Sequence, residues 1–359
     1  MKRGWCPSLF RPMESGDGWL VRVRPRDALL TAEVLQAVAD AAARYGNGLI
    51  EITNRANLQI RGLQPDSLLP FTDAMRAVGI DEADERRNLL VSPLLGADAT
   101  IAPQTAAIAR AIAEGLGDEA FADLPGKFGV LIDGGGLLPL TGMSLDVTLR
   151  ATAGGWTLQG EAVPAEDAAR RALALARQAG HVSPRRTAPL PALGRYGTAL
   201  LFAPQFGQIR AETLSKLADL ALREGDGALR PTPWKSFAMA GVRSPLSAQP
   251  AVAALGLITD PADPRLGIVT CAGAPACLRG ELLTHDTAAA LAACRLPHDP
   301  LWHVSGCVKG CAHPGPAAVT LVGNYRLLNL IRDGTAGDLP ERRALTLAET
   351  LKLMQSVPA

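Results

Sequence analysis

Four cysteines near the C-terminal end have the residue type and spacing for metal chemistry. Cys271 and Cys277 stand in CAGAPAC, and Cys307 and Cys311 stand in SGCVKGC. Four thiolates in two close pairs can hold a metal centre. Zinc ribbons favour C-x2-4-C and low-potential ferredoxins use C-x2-C runs, so C-x5-C followed by C-x3-C fits neither pattern well. Gly273, Pro275, Gly306 and Gly310 flank the pairs. Glycine lets a backbone turn tightly around a cluster and aim its N–H groups at sulfur. Four of the six cysteines within 41 positions, set among glycines, suit an iron–sulfur cluster. A zinc site, or four buried cysteines packing as small apolar side chains, are the alternatives. Cys294, in AAALAACRL, reads as a buried helix residue, and Cys6 as a buried structural thiol.

Composition narrows the function classes. The chain has 359 residues, 48% hydrophobic and 20% charged, with a net charge of +1. That length supports two or three cores. A near-neutral chain has no global field for nucleic acid or an anionic membrane, so an anionic ligand must be met by locally gathered Arg and Lys. Aromatic residues make up 4%, which argues against a platform for stacked bases. The N-terminal MKRGWCPSLF has no apolar signal-peptide region, and no run is long enough for a membrane span. A cytoplasmic chain with reduced thiols is expected. IDGGGLLPL lacks the order of a dinucleotide fingerprint, so no NAD site is expected and electrons should come from an external donor or reductase.

The elements that would position these residues are repeated. Residues 31–53 read TAEVLQAVADAAARYGNGLIEIT, and residues 210–232 read RAETLSKLADLALREGDGALRPT. Ala32, Glu33, Leu35, Ala39, Asp40, Ala42, Arg44, Gly46, Gly48 and Thr53 recur without a gap as Ala211, Glu212, Leu214, Ala218, Asp219, Ala221, Arg223, Gly225, Gly227 and Thr232. Each copy predicts a strand, an amphipathic helix, a Gly-x-Gly stop and a second strand. Thr31 is the expected N-cap of the first helix. One α+β segment lies between the copies and a second follows them, with strands expected at NLLVSPL, FGVLID and AAVTLVG and helices at TAAIARAIAEGL and TLAETLKLMQS.

The cysteine spacing and this layout resemble the sulfite/nitrite reductase superfamily over nearly the whole chain. The resemblance implies an α+β fold of two ferredoxin-like half-domains in pseudo-twofold repeat plus two α+β domains. The expected boundaries are 1–69 and 191–249 for the half-domains, 70–190 for the first α+β domain and 250–359 for the cluster-bearing one. It also implies that the four cysteines hold a 4Fe–4S cluster. EITNRANLQIRGL resembles the family's T-x-R-x-x-x-Q strand. Arg55 then faces the substrate pocket, with Gln59 and Arg61 alternating onto the same strand face. RRNLLVSPLLG resembles the R-N segment and makes Arg87 a second anion-facing arginine, with Asn88 its neighbour. LPGKFGVLID resembles the segment carrying two lysines, with Lys127 as the first and Gly129 where the second would stand.

The departures point to one branch of that superfamily. A dense cationic pocket suits a small oxyanion, and losing a lysine weakens that use. RGWCPSLFRPMESGDGWLVRVRP, CAGAPACLRG and SGCVKGCAHP resemble the precorrin-3B synthase branch. It implies a monooxygenase that inserts oxygen from O2 at C20 of precorrin-3A and closes a γ-lactone in aerobic cobalamin biosynthesis. Its tetrapyrrole substrate would be held by Arg55, Arg61, Arg87, Lys127 and Lys309, with Gln59 and Asn88 beside them. The branch is also associated with a mononuclear non-haem iron, for which His303 and His313 are candidates by sequence proximity only. The alternatives are a siroheme-dependent sulfite or nitrite reductase and a non-catalytic tetrapyrrole or cluster carrier.

Overall fold

The computed structural model describes residues 7–25, 28–80, 88–179 and 186–355. Cys6 and Arg87 therefore lie outside the described residues. The chain divides into two compact units. One comprises residues up to Met13 with Leu20–Thr259, and the other comprises Glu14–Trp19 with residues from Asp260 onward. Among the described residues, four five-stranded sheets carry the fold.

In the first unit, the two copies of the repeat each build a sheet and each donates a strand to the other. Gly18–Val23, Leu58–Leu63 and Leu49–Ile52 lie side by side, and Gln208–Arg210 of the second copy closes that edge. Ala199–Phe202, Phe237–Met239 and Ala228–Pro231 are closed by Leu30–Thr31 of the first copy. The registers are equivalent: Arg210 faces Leu49 and Ile209 faces Ile50, while Thr31 faces Ala228 and Leu30 faces Leu229. Pairing each edge with the other copy leaves fewer open ladder groups.

The repeated helices, Ala32–Tyr45 and Ala211–Glu224, pack on each other. Leu35, Val38, Ala39 and Ala42 form the buried stripe of the first, and Leu214, Leu217, Ala218 and Ala221 that of the second. Thr31 Oγ1 accepts from the N–H of Val34 as the expected cap. The C-terminal stop differs in detail from expectation. The first glycine of each pair is extended, and the second is left-handed, with φ of +72° at Gly48 and +80° at Gly227. Both glycine N–H groups of the first pair donate to the Ala42 carbonyl at 3.1 Å.

Two expected boundaries need moving. The 69/70 boundary falls inside the helix Leu68–Ala77, which packs on Ala32–Tyr45 through buried Phe71 and Met75. The 249/250 boundary falls inside Pro245–Ala254, which packs on Ala211–Glu224 and buries Ala248 and Val252. Each helix belongs with its half-domain because its apolar face is covered there.

The first α+β segment has a mixed sheet in the order Glu161–Val163, Gly155–Leu158, Val147–Thr152, Val130–Asp133, Leu89–Val91. Helices Thr105–Gly115 and Ala165–Arg177 pack together on a core of Ile108, Ile112, Val130, Ile132, Leu149 and Trp156. The second unit's sheet runs Ile268–Thr270, Trp302–Ser305, Ala317–Asn324, Leu327–Gly334, Arg342–Leu345. Its first three strands are parallel. Cys294 is not a helix residue. The helix Thr284–Ala292 stops short of it, and the half-buried thiol lies 3.9 Å from the Leu351 carbonyl. The chain turns there because buried Arg295 gathers the carbonyls of Pro264, Leu296, Asp299 and Pro300. Among the described residues, no helix is long and apolar enough to cross a membrane.

Candidate functional site

Parallel strands explain how the two cysteine pairs meet. Ile268–Thr270 and Trp302–Ser305 are in parallel register, with Thr270 beside Val304. Cys271 follows the first strand directly, and Cys307 follows the second after Gly306. Both loops therefore leave from carboxyl ends of adjacent strands, where open α/β sheets place their ligands. Hydrogen bonds then fold the loops over. Cys277 N–H donates to the Gly273 carbonyl at 2.7 Å, and Thr284 Oγ1 donates to the Cys271 carbonyl at 2.6 Å. Ser305 Oγ donates to the Cys307 carbonyl at 2.7 Å. Gly16 and Ser15 close on the same loop, donating to the Ala276 carbonyl at 3.2 and 2.6 Å.

The fit to a cluster rests on sulfur chemistry and on close backbone approach. Gly306 N–H donates to Cys271 Sγ at 3.2 Å, the type of bond that tunes a ligated thiolate. A Cβ on Gly306 would lie 3.2 Å from the Cα atoms of Gly273 and Gly280, so three glycines crowd behind that sulfur. Burial pushes the Cys311 thiol up, Lys309 pulls it down, and the charges of Cys271, Cys307 and Cys277 push it up again. The four thiols thus share one electrostatic neighbourhood. Among the described residues, no group of three or more His, Cys, Asp and Glu side chains is placed to hold one metal ion. A cubane asks for a different arrangement, since each thiolate binds a different corner iron. Among the described residues, the cysteines fit a cluster better than a lone zinc, and no ligand set for a mononuclear iron is placed.

His303 and His313 are adjacent, their ring centres 5.9 Å apart and nearly perpendicular. His303 is 0% exposed, and neither ring nitrogen has a hydrogen-bond partner. Burial, then the His313 charge, lower its pKa to about 4. His313 Nε2 lies 3.1 Å from the Pro316 carbonyl.

In the first unit, Arg55, Asn88 and Lys127 come together. The expected strand 51–63 is a hairpin, and Arg55 sits on its turn. Thr53 N–H donates to the Asn57 carbonyl at 2.9 Å, and Thr53 Oγ1 accepts from the N–H groups of Arg55 and Asn57. Ala56 is left-handed, with φ of +58°. The second copy builds the same turn over Thr232–Ser236, with Lys235 also at +58° and Trp234 in place of Arg55. Arg55 Nη2 donates to the Lys127 carbonyl at 2.9 Å, and Asn88 Nδ2 donates to the Phe128 carbonyl. The Lys127 side chain is exposed. Gly129 is packed: a Cβ there would lie 3.2 Å from both Asn88 Nδ2 and Leu145 Cδ1.

Gln59 and Arg61 are placed elsewhere. They are 8% and 3% exposed, and both donate to Glu51 Oε2, at 2.6 and 3.2 Å. Arg22 Nε donates to Gln59 Oε1 at 2.9 Å, and Gln208 of the second copy donates to Glu51 Oε1 at 2.8 Å. Buried Arg61 pairs with the half-buried Glu51 carboxylate, because a charge withdrawn from water must be paired, and Gln59 shares the same oxygen.

A crevice of about 80 Å³ opens beside the Arg55 turn, lined by Arg24, Arg55, Pro231, Pro233, Leu90 and Ala113 among others. Arg24 lines the crevice without having been singled out in the sequence. The alternation in WLVRVRP, which puts Arg22 and Arg24 on one strand face, was the signal available for it.

Known proteins share this architecture. The profile of the nitrite/sulfite reductase ferredoxin-like half domain matches residues 11–78. A precorrin-3B synthase from a Sinorhizobium species is 34% identical over 95% of this chain and 85% of its own length. A ferredoxin–nitrite reductase from Synechococcus elongatus is 34% identical over 36% of this chain and 27% of its own length. The solved structure of the Mycobacterium tuberculosis NirA protein superposes with a TM-score of 0.69 at 19% identity, covering 94% of this chain and 79% of that one. The fold is that of the sulfite/nitrite reductases, and with so full a match to a precorrin-3B synthase the chain belongs to the precorrin-3B synthase family.

Proposed function

We propose that the chain is an oxidoreductase of cobalamin biosynthesis that converts precorrin-3A to precorrin-3B, placing one oxygen atom of O2 at C20 and closing a γ-lactone. The observation that carries this reading is the convergence of Cys271, Cys277, Cys307 and Cys311 beyond two parallel strands, in a chain of this family. The thiolates would hold a 4Fe–4S cluster, which supplies electrons singly. One oxygen atom enters the macrocycle and the other leaves as water. Two electrons and two protons are therefore needed, the electrons coming from an external donor or reductase.

The chain's own part is to bind and orient a carboxylate-fringed ring. Arg55, Lys127 and Lys309 are the proposed anchors, with Arg87 as a fourth assigned from sequence. Guanidinium pairs a carboxylate bidentately. Asn88 acts on the backbone of the Lys127 turn through Phe128. Gln59 and Arg61 support the sheet through Glu51 without touching substrate. Gly129 supports this reading over reduction of a small oxyanion, because position 129 carries no second lysine side chain.

A siroheme-dependent sulfite or nitrite reductase is the second reading, favoured by Lys127 and by the partial match to a nitrite reductase. The test supplies purified protein with reductant, 18O2 and precorrin-3A. A product heavier by one labelled oxygen, from protein without siroheme absorption bands, is expected. Label arriving only from water, or turnover without O2, would sink the monooxygenase reading. Rapid sulfite or nitrite reduction with a siroheme spectrum would promote the second.

A further inference from the structure

We propose that the hairpin tip formed by Ser15, Gly16, Asp17 and Gly18 is a clamp on the cysteine loop, which positions Cys277 and slows loss of the 4Fe–4S cluster. The inference rests on the cluster reading above. It gives a task to the S-G-D-G stretch, which the substrate assignments leave without one.

The tip belongs with the cysteines, since Glu14–Trp19 groups with residues from Asp260 onward in the second unit. Ser15 Oγ and Gly16 N–H converge on one acceptor, the Ala276 carbonyl, at 2.6 and 3.2 Å. Ala276 is buried and directly precedes Cys277. Cys277 N–H, on the other side of the same peptide, donates to the Gly273 carbonyl at 2.7 Å. The Cys277 carbonyl accepts from Gly280 N–H at 2.9 Å. The peptide unit joining Ala276 to Cys277 is therefore bonded at both its C=O and its N–H, which fixes where the Cys277 side chain leaves the backbone. The approach at Gly16 is too close for a side chain. A Cβ there would lie 2.4 Å from the Pro275 carbonyl oxygen and 3.0 Å from Leu278 N. Both are backbone atoms, so only glycine fits.

The first unit carries a counterpart without cysteines, which serves as a comparison. Its mixed sheet has the strand order and directions of the second unit's sheet, three parallel strands and then two antiparallel ones. Ser92 follows Leu89–Val91 as Cys271 follows Ile268–Thr270, at the offset that relates the repeated helices. Gly134 N–H donates to Ser92 Oγ at 2.8 Å, where Gly306 N–H donates to Cys271 Sγ at 3.2 Å. The two cradles share one backbone plan, but their hairpins differ. Gly197 is the counterpart of Gly18, and both have positive φ, +60° and +118°. The second tip bonds within its own hairpin, Arg195 Nε donating to the Gly197 carbonyl and the Tyr196 hydroxyl to the Ala192 carbonyl, each at 2.8 Å. It meets the counterpart loop through Leu137, whose Cδ1 would lie 2.9 Å from a Cβ on Gly197. Among the described residues, the pair of donors on a loop carbonyl goes with the loop that carries cysteines. A cluster leaves when its ligand loops open locally, so bonds that hold such a loop shut slow the loss.

The test uses the full chain purified anaerobically, with iron release to a colorimetric iron(II) chelator timed under reducing conditions well below the melting temperature. Ser15→Ala should release iron about 2- to 10-fold faster than wild type, the factor carried by one neutral hydrogen bond. Ser15→Thr keeps the hydroxyl and should restore the slow rate. Gly16→Ala should release faster still, because its methyl lifts the tip off the loop. Gly197→Ala is the control. It strains the tip of the other hairpin, so it should lower the melting temperature and leave release at the wild-type rate. A wild-type rate in Ser15→Ala would overturn the clamp and leave the cluster reading standing. Release as fast in Gly197→Ala as in Ser15→Ala would tie the loss to overall stability and overturn the clamp as well. Wild-type protein that binds no iron and sulfide would remove the cluster reading and the clamp together.

Discussion

Gln36 and Ser215 are equivalent positions of the two repeats, 179 residues apart, and they bond each other. Gln36 Nε2 lies 2.8 Å from Ser215 Oγ, and Ser215 Oγ lies 3.1 Å from Gln36 Oε1. The contact marks the pseudo-twofold axis, where the two repeated helices face each other. Either single alanine substitution should cost about 0.5–1.5 kcal/mol, the net worth of a hydrogen bond. In a double-mutant cycle followed by denaturant unfolding, the two effects should couple. Strict additivity would show that the contact contributes nothing between the halves.

The four cysteines should stand or fall as a set. Cys→Ser at position 271, 277, 307 or 311 should abolish or strongly deplete iron and sulfide, because each thiolate would bind its own corner of the proposed cubane. Cys294→Ser should leave the content unchanged, since that thiol lies toward the Leu351 carbonyl. Full iron and sulfide in two of the four variants would refute the ligand assignment.

Sequence exposes what chemistry or repetition marks. The cysteine pairs stood out because thiolate pairs flanked by glycine have few other uses, and the structure brings their loops to the ends of adjacent strands. The half-domains were legible because ten residues recur in register, down to Gly48 and Gly227. The strand exchange was not, since Leu30–Thr31 and Gln208–Arg210 are too short to show a period. Gln59 and Arg61 were misplaced for a related reason. Alternation tells that two side chains share a face, but not that Glu51, the cross-strand neighbour of Gln59, occupies it. The helices at 68 and 245 were cut by the expected boundaries because only their packing partners show where they belong.

Gly129 offers a test of the proposed difference from an oxyanion reductase. A side chain there would press on Asn88 and Leu145, each 3.2 Å from the new Cβ. Gly129→Lys should therefore destabilise the protein by about 1–3 kcal/mol, the usual cost of overpacking. It should also disturb the Asn88 bond to Phe128 and confer no sulfite reduction. A variant as stable as wild type that reduces sulfite would show that this glycine alone sets the chemistry.

His303 should make stability depend on pH near neutrality. Its pKa falls from the ordinary 6.5 to about 4 because the ring is buried, with the His313 charge as a smaller cause. The unfolded chain then takes up a proton below 6.5 that the folded chain refuses. Stability is full above that value and is lost as pH falls toward 4. Between about pH 7.5 and about pH 6 the loss should be about 0.8 kcal/mol. His303→Leu removes the titrating ring along with two unpartnered nitrogens. At pH 7.5 or so the variant should be within about 1 kcal/mol of wild type, since a lost ring is offset by two fewer unsatisfied atoms. Its stability should no longer fall over that window. Denaturant unfolding at both pH values, with iron content checked, measures this. An unchanged pH slope in the leucine variant would mean that the buried imidazole is not the group responsible.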